Sequence, residues 1–381
     1  LCFVYCVIFG SILSFQWFCF GSSDDYTSAF GNNFDGYTVI KDSQEYALSF
    51  GGELTDETLQ KIVSDYQQME ADGMEEELEK TDWQIVNSWL GTLYPELRDT
   101  SNYKTMISYV DPDKLTGFYE RRQQVLDEFL EVSGQVGAEK EFLHQIERKV
   151  EKPFHYEWVE GWSTLLGSMV ADLGVVMALF LGIVLSSLFA GEWHDNTSTL
   201  VLTTRNGWGK IALAKILTGL AFTVELFALL AVSSVISQLF FMGTAGWDMP
   251  IQNIKLIAVA PMNMLQAEIY EYAFVLLGAI GFAGIVMFIS AAVKNNVLTL
   301  LLSLAVVYGP MMIAEYLPYE MQKALDLIPL AGSSTDIFRT NTFRIFGKLI
   351  WSPYLLITIP VLIGILCMPF AIKSWSRRMK A

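Results

Sequence analysis

The chain has 381 residues, is 52% hydrophobic and 13% aromatic, and carries a net charge of −16 at pH 7. A mean hydropathy of +0.36 is not that of an ordinary soluble domain. The acidic balance argues against nucleic acid as a partner, because no basic surface exists to neutralise phosphates.

Nearly uninterrupted apolar segments fall at 1–20, 165–190, 211–242, 268–292, 297–317 and 351–372. About 20 helical residues cross the roughly 30 Å hydrocarbon layer, so each segment predicts a span surrounded by membrane lipids. The expected fold class is mainly α: a polytopic α-helical membrane protein with six spans and a mostly helical extracellular domain between spans one and two. Residues 1–20 form the first transmembrane span, 21–164 the acidic extracellular domain, and 165–381 a five-span transmembrane domain. The chain opens at Leu1 without a methionine or a basic n-region, which reads as an incomplete amino end.

Residues 21–164 hold 30 of the 41 acidic residues against 12 of the 25 Lys and Arg. All four cysteines (Cys2, Cys6, Cys19, Cys367) sit in apolar segments, so this domain is not built on disulfides, as suits a bacterial envelope. "ELTDETLQKIVSDYQQME" offers Thr55 or Asp56 as a helix cap, then Leu59, Ile62, Val63 and Tyr66 on one face. "YERRQQVLDEFLEV" repeats the pattern with Val125, Phe129 and Leu130, and "EKEFLHQIERKV" with Phe142, Leu143 and Ile146. "DPDKLTGFYERR" begins like a calcium loop, but Leu115, Thr116 and Arg122 stand where an EF-hand needs an oxygen ligand, glycine and glutamate. It predicts a turn and a helix cap.

The stretch "FAGEWHDNTSTLVLTTRNGWGKIALAK" (189–215) lies between the second and third spans. Asp195, Asn196 or Thr197 can cap a short helix holding Leu200, Val201 and Leu202, which Arg205, Asn206 and Gly207 then break. Lys210 and Lys215 open the next span near the headgroups. Three consecutive apolar residues with no core of their own invite a partner's groove.

Within the spans, Glu225 stands at the middle of its segment, where a carboxylate costs about 2.5–3.5 kcal/mol on insertion scales. It is expected to face protein or a polar cavity, either on a substrate or gating path or in a structural hydrogen bond. Asp172 raises the same question nearer the outer surface. Glu268, Glu271 and Glu315 fall at outer span ends and read as solvated. Gly278, Gly281 and Gly284 suit close helix packing. Residues 318–350 form a longer outer connection, with short interfacial or re-entrant helices expected. The tail "KSWSRRMKA" is basic, which places it in the cytoplasm and residues 21–164 outside.

No GxxxxGK[ST], HExxH, CxxC or GxSxG motif occurs, and His144, His155 and His194 are too scattered for a shared metal site. The chain is therefore read as a transport subunit and not an enzyme. Any work it does draws energy from a partner or a gradient.

Glu192, the 197–204 segment, Thr204-Arg205 and Lys210/Lys215 together resemble the type-2 ABC exporter permeases. Members carry an acidic residue after the second span, a short coupling helix, a Ser/Thr-Arg-like exit and a lysine opening the third span. Six spans, a long insertion after the first and "IPLAGSSTDIFR" before the last also look like this family. The Asp195-Asn196 pair departs from it, since many relatives have glycine there. The resemblance implies a coupling helix near 192–205, with Glu192, His194, Thr197, Leu200, Val201, Thr204 and Arg205 contacting separate ABC ATPase subunits. It implies a second permease chain, identical or homologous. It also implies that no cofactor binds this chain, ATP and Mg being held by the partner ATPase. The substrate would be a peptide, an antimicrobial, a lipid-linked molecule or an ion. The alternative is a non-transporting membrane receptor or sensor whose acidic outer domain binds a ligand.

Overall fold

The computed structural model describes residues 44–45, 51–74, 84–99, 105–158, 160–195, 197, 209–331 and 340–377. They fall into two compact units. One takes in the described residues of Ile8–Leu165 with Ser234–Glu268; the other takes in those of Leu166–Ser233 and Ile269–Ala381.

In the first, polar unit, α1 (Asp56–Ala71) starts at Thr55, whose side chain accepts from the Thr58 amide. Asp56 and Glu57 add negative charge to the first turn, where the helix dipole favours it. Leu59, Ile62 and Val63 are buried, on the face the apolar spacing predicts. α2 (Gln84–Leu93), α3 (Phe118–Val132) and α4 (Ala138–Glu147) follow. Asp56 also accepts from the backbone amides of Gly117 and Phe118, at 2.7 and 2.9 Å, and so ties the start of α3 to the start of α1. Strand β1 (Gly52–Leu54) pairs antiparallel with β2 (Phe154–Tyr156), in the register Gly52↔Tyr156. The short α5 (Glu160–Thr164) comes next.

The buried face of α3 differs from the expected one. Phe118, Arg122, Leu126 and Leu130 face inward, whereas Phe129 is 39% exposed. The i, i+4 spacing of the first four decides the face, and Arg122 belongs to it because its charge is paired. Its Nη1 meets Glu147 Oε1 at 2.6 Å, and Lys152 meets the same oxygen at 2.9 Å. The remaining Arg122 donors go to the carbonyls of Leu256 (2.8 Å) and Ala258 (3.1 Å). Trp89 Nε1 likewise donates to Asn253 O at 2.8 Å. The 243–263 connection is thus part of this unit's core.

The second unit is built on long apolar helices. α6 (Val170–His194) continues a π-turn at Leu165–Met169; α7 (Lys210–Met242), α8 (Met264–Ala292), α9 (Asn296–Ile313), the short α10 (Tyr319–Leu325) and α11 (Ser352–Arg377) follow. Strands β3 (Thr342–Ile345) and β4 (Lys348–Trp351) form a hairpin ahead of α11. Among the described residues, five helices are long and apolar enough to cross a membrane, which is the make-up of a multi-pass membrane protein. The sixth expected span, 1–20, lies outside the described residues. In α8, 61% of the apolar stretch is buried, against 17% in α9, so α8 is the hub of the unit.

Glycines let α8 be that hub. A Cβ on Gly281 would overlap the Pro360 carbonyl, and one on Gly284 would overlap Gly364, so α8 and α11 meet backbone to backbone. Gly278 lies under Leu330, which a Cβ would approach to 3.1 Å. On α6, Gly182 faces Leu300 and Leu304 of α9.

The expectation of solvated acids at the outer span ends is overturned for two residues. Glu268 and Glu271 are 5% and 0% exposed rather than solvated, because helical spacing puts them on the same face of α8 as buried Phe274, Val275 and Gly278. Glu225 goes the other way. It is exposed at the centre of α7, on a face that also shows Leu217 (58%), Val232 (54%) and Ile236 (63%).

Candidate functional site

The carboxyl end of α6 is where the chemistry of the second unit concentrates. Glu192 Oε1 forms an ion pair with Lys215 Nζ at 2.6 Å, their side chains being 20% and 16% exposed. Lys215 also donates to the Leu188 carbonyl and so ties α7 to the last turns of α6. Its ammonium lies 5.2 Å from the Phe189 ring centre and 5.5 Å from that of Trp375. Phe189 and Trp375 are both fully buried and 5.5 Å apart, and Trp193 stands edge-on to Trp375 at 6.0 Å. Lys294, just after α8, sits 4.3 Å over the Trp193 ring. The aromatic walls keep water off the ion pair, which raises its worth above that of a surface pair.

Ser290 of α8 joins this cluster from the other side. Its hydroxyl accepts from the amides of Phe189 (3.0 Å) and Ala190 (3.1 Å) and donates to the Ser186 carbonyl at 2.8 Å. Ser374 of α11 donates to Ala291 O at 3.3 Å. α9 begins here too: Asn295 caps it by accepting from the Leu298 amide, and Asn296 follows. Side chains of α6, α7, α8 and α11 thus meet within a few residues of Glu192, beside the first turn of α9. Glu192 Oε2, Trp193 Nε1 and Asn296 Oδ1 are buried there and make no hydrogen bond with the described residues.

His194 is the last residue of α6. Thr197 is exposed, and its amide and hydroxyl both donate to the Glu192 carbonyl, at 3.0 and 3.4 Å. Leu200, Val201, Thr204 and Arg205 lie outside the described residues. Asp172, in the first turn of α6, is exposed. The structure therefore joins Glu192 to a lysine that the sequence reading had assigned to the headgroups, and Glu225 and Asp172 take no part in the cluster. The roles of Ser290, Trp375 and Asn296 were missed as well. The one sequence signal was an acid and a base flanking the same interspan stretch. Among the described residues, no group of His, Cys, Asp and Glu side chains could hold a metal ion.

Comparison with protein-family profiles, with curated proteins and with solved structures finds no match to this chain.

Proposed function

We propose that the chain is the membrane-spanning subunit of an ATP-driven exporter, powered by separate ATPase subunits that hold the ATP and Mg, and paired with a second permease chain. The observation that carries this reading is the clamp at the foot of α6. The stretch that follows α6 is held at its start by Thr197 on Glu192, and Glu192 is held in turn by Lys215 of the helix that the stretch leads into. A force applied to that stretch would reach α6 and α7 at once, and α8 through Ser290. The buried polar atoms without hydrogen bonds in the cluster favour the same reading. Such groups are costly, about 1–3 kcal/mol each, and mark places that rearrange. In this reading Glu192 positions the coupling segment from within, and Leu200, Val201, Thr204 and Arg205 face the ATPase. The acidic domain lies outside the cell and the basic tail in the cytoplasm.

Leu200→Asp tests it. Truncating or charging a buried interface anchor weakens a complex by about 1–4 kcal/mol. The variant should lose its ATPase in a pull-down while eluting as a monodisperse permease. A folded variant that still binds and drives its ATPase would make this stretch a plain loop, whereas a wild-type chain that captures no ATPase would turn the reading to a receptor that signals through the spans.

A further inference from the structure

The polar unit holds a cleft of about 480 Å³ that the coupling argument does not use. One wall comes from the residues after α4 and from β2, the other from the connection between α7 and α8. The walls are fixed to each other: Asn253 Nδ2 donates to the His155 carbonyl at 2.6 Å. The second wall is braced in its own right by the Pro250↔Asn263 bridge and by Ile251 N on Met262 O at 3.1 Å. Pro153, Pro250 and Pro261 line the cleft and restrict its backbone further. It is a preformed hollow in the size range of small-molecule sites.

Its charges are unusual for a unit in which ion pairs are common. Lys152 is paired with Glu147, and His155 lies 3.1 Å from Glu157. Lys149, Glu151 and Asp248 line the cleft, yet none of the three side chains makes an ion pair or hydrogen bond with the described residues. Gln252 lines it from a fully buried position. Its Nε2 is occupied by the carbonyls of Ala258 (3.0 Å) and Ala260 (2.8 Å), while its Oε1 accepts no hydrogen bond. The open groups are one cation, two carboxylates and the side-chain amide nitrogens of Asn263 and Gln266, whose oxygens accept from each other's backbone amides at 2.8 and 3.2 Å. Their complement is a molecule with an ammonium at one end and an anionic group at the other. A hollow of this size has room for an amino acid or dipeptide together with bridging water.

We propose that this cleft binds a small zwitterionic amine, its ammonium held by Asp248 and Glu151 and its anionic group by Lys149. The site is independent of the exporter reading and would serve a transporter or a receptor alike.

The test is isothermal titration of the full chain in detergent with alanyl-alanine, N-acetyl-alanyl-alanine and alanyl-alanine amide. The free dipeptide should bind. Acetylation and amidation should each weaken binding by about tenfold or more, the loss of one charge-assisted contact. Asp248→Asn and Lys149→Gln should do the same to the free dipeptide, with Glu120→Gln, an exposed acid on α3, as the unaffected control. Both cleft residues are exposed, and unchanged near-ultraviolet circular dichroism would show that the variants fold. No binding of the free dipeptide, equal binding of the blocked forms, or wild-type binding by both variants would overturn the proposal.

Discussion

Arg122 and Glu147 show how much of the polar unit rests on one pair. Burial works against both charges. It draws the Arg122 guanidinium below its ordinary range, and it would raise Glu147 were the carboxylate not taken by Lys152 and Arg122, which hold it below the usual value. The carboxylate governs the acid response, since guanidinium stays charged throughout it. A depressed carboxylate adds stability that is present above its unfolded value of about 4.3 and is lost as pH falls through the lower folded value. Glu147→Gln leaves Arg122 buried with its ion pair broken, which should cost about 3–5 kcal/mol at neutral pH. The gap between wild type and variant should narrow below about pH 4, because the wild type then loses the same charge. Tryptophan fluorescence against urea at several pH values measures both. A gap that stays constant down to pH 3 would remove Glu147 from the account. Nothing in the sequence announced this pair. Arg122 looked like a failed calcium position, and its partner lies 25 residues away in another helix.

At the scale of elements, the glycines of α8 were legible and their partners were not. Small residues at helical spacing say that a helix will be approached closely; they do not say by what. Here the partner is α11, at Pro360 and Gly364. Gly284→Leu should force α8 and α11 apart and lower thermal stability in detergent by about 1–3 kcal/mol, the usual cost of overpacking. Gly174→Ala in α6 is the matched control, for a Cβ there meets nothing within 4 Å. It should be neutral or gain up to about 1 kcal/mol from helix propensity. Equal melting of Gly284→Leu and wild type would deny the contact. The two small sheets were illegible for different reasons. β1 and β2 are three residues each and lie a hundred residues apart. The β3–β4 turn places Phe346 and Gly347 at φ 49° and 79°, a pair of left-handed residues normally signalled by Asn-Gly or Asp-Gly. Phenylalanine at the first position hid it.

For the whole molecule, composition and periodicity were enough to find the five apolar helices, since length and hydropathy are properties of one segment at a time. Which face of each helix looks inward depends on its neighbours, and within this chain Glu225 lies on an outward face. A carboxylate exposed at the centre of α7 would cost about 2.5–3.5 kcal/mol against lipid. If the second permease chain covers that face, Glu225→Gln should preserve assembly and Glu225→Leu should alter it. Blue native electrophoresis of detergent extracts, with transport measured in parallel, reads both effects. Wild-type assembly and transport in both variants would leave Glu225 outside the interface.

Ser290 adds a mechanical consequence to the foot of α6. A helix end held only by its own ladder can twist or fray without disturbing its neighbours. Here one hydroxyl is stitched to three backbone groups of α6. The last turns of α6 therefore cannot rotate about their own axis without dragging α8. The hub becomes a gear meshed with the shaft beside it, so a twist of either helix is shared by the other. Removing a single oxygen atom, as in Ser290→Ala, would unlink the foot of α6 from α8 and leave Lys215 and Trp375 to hold it.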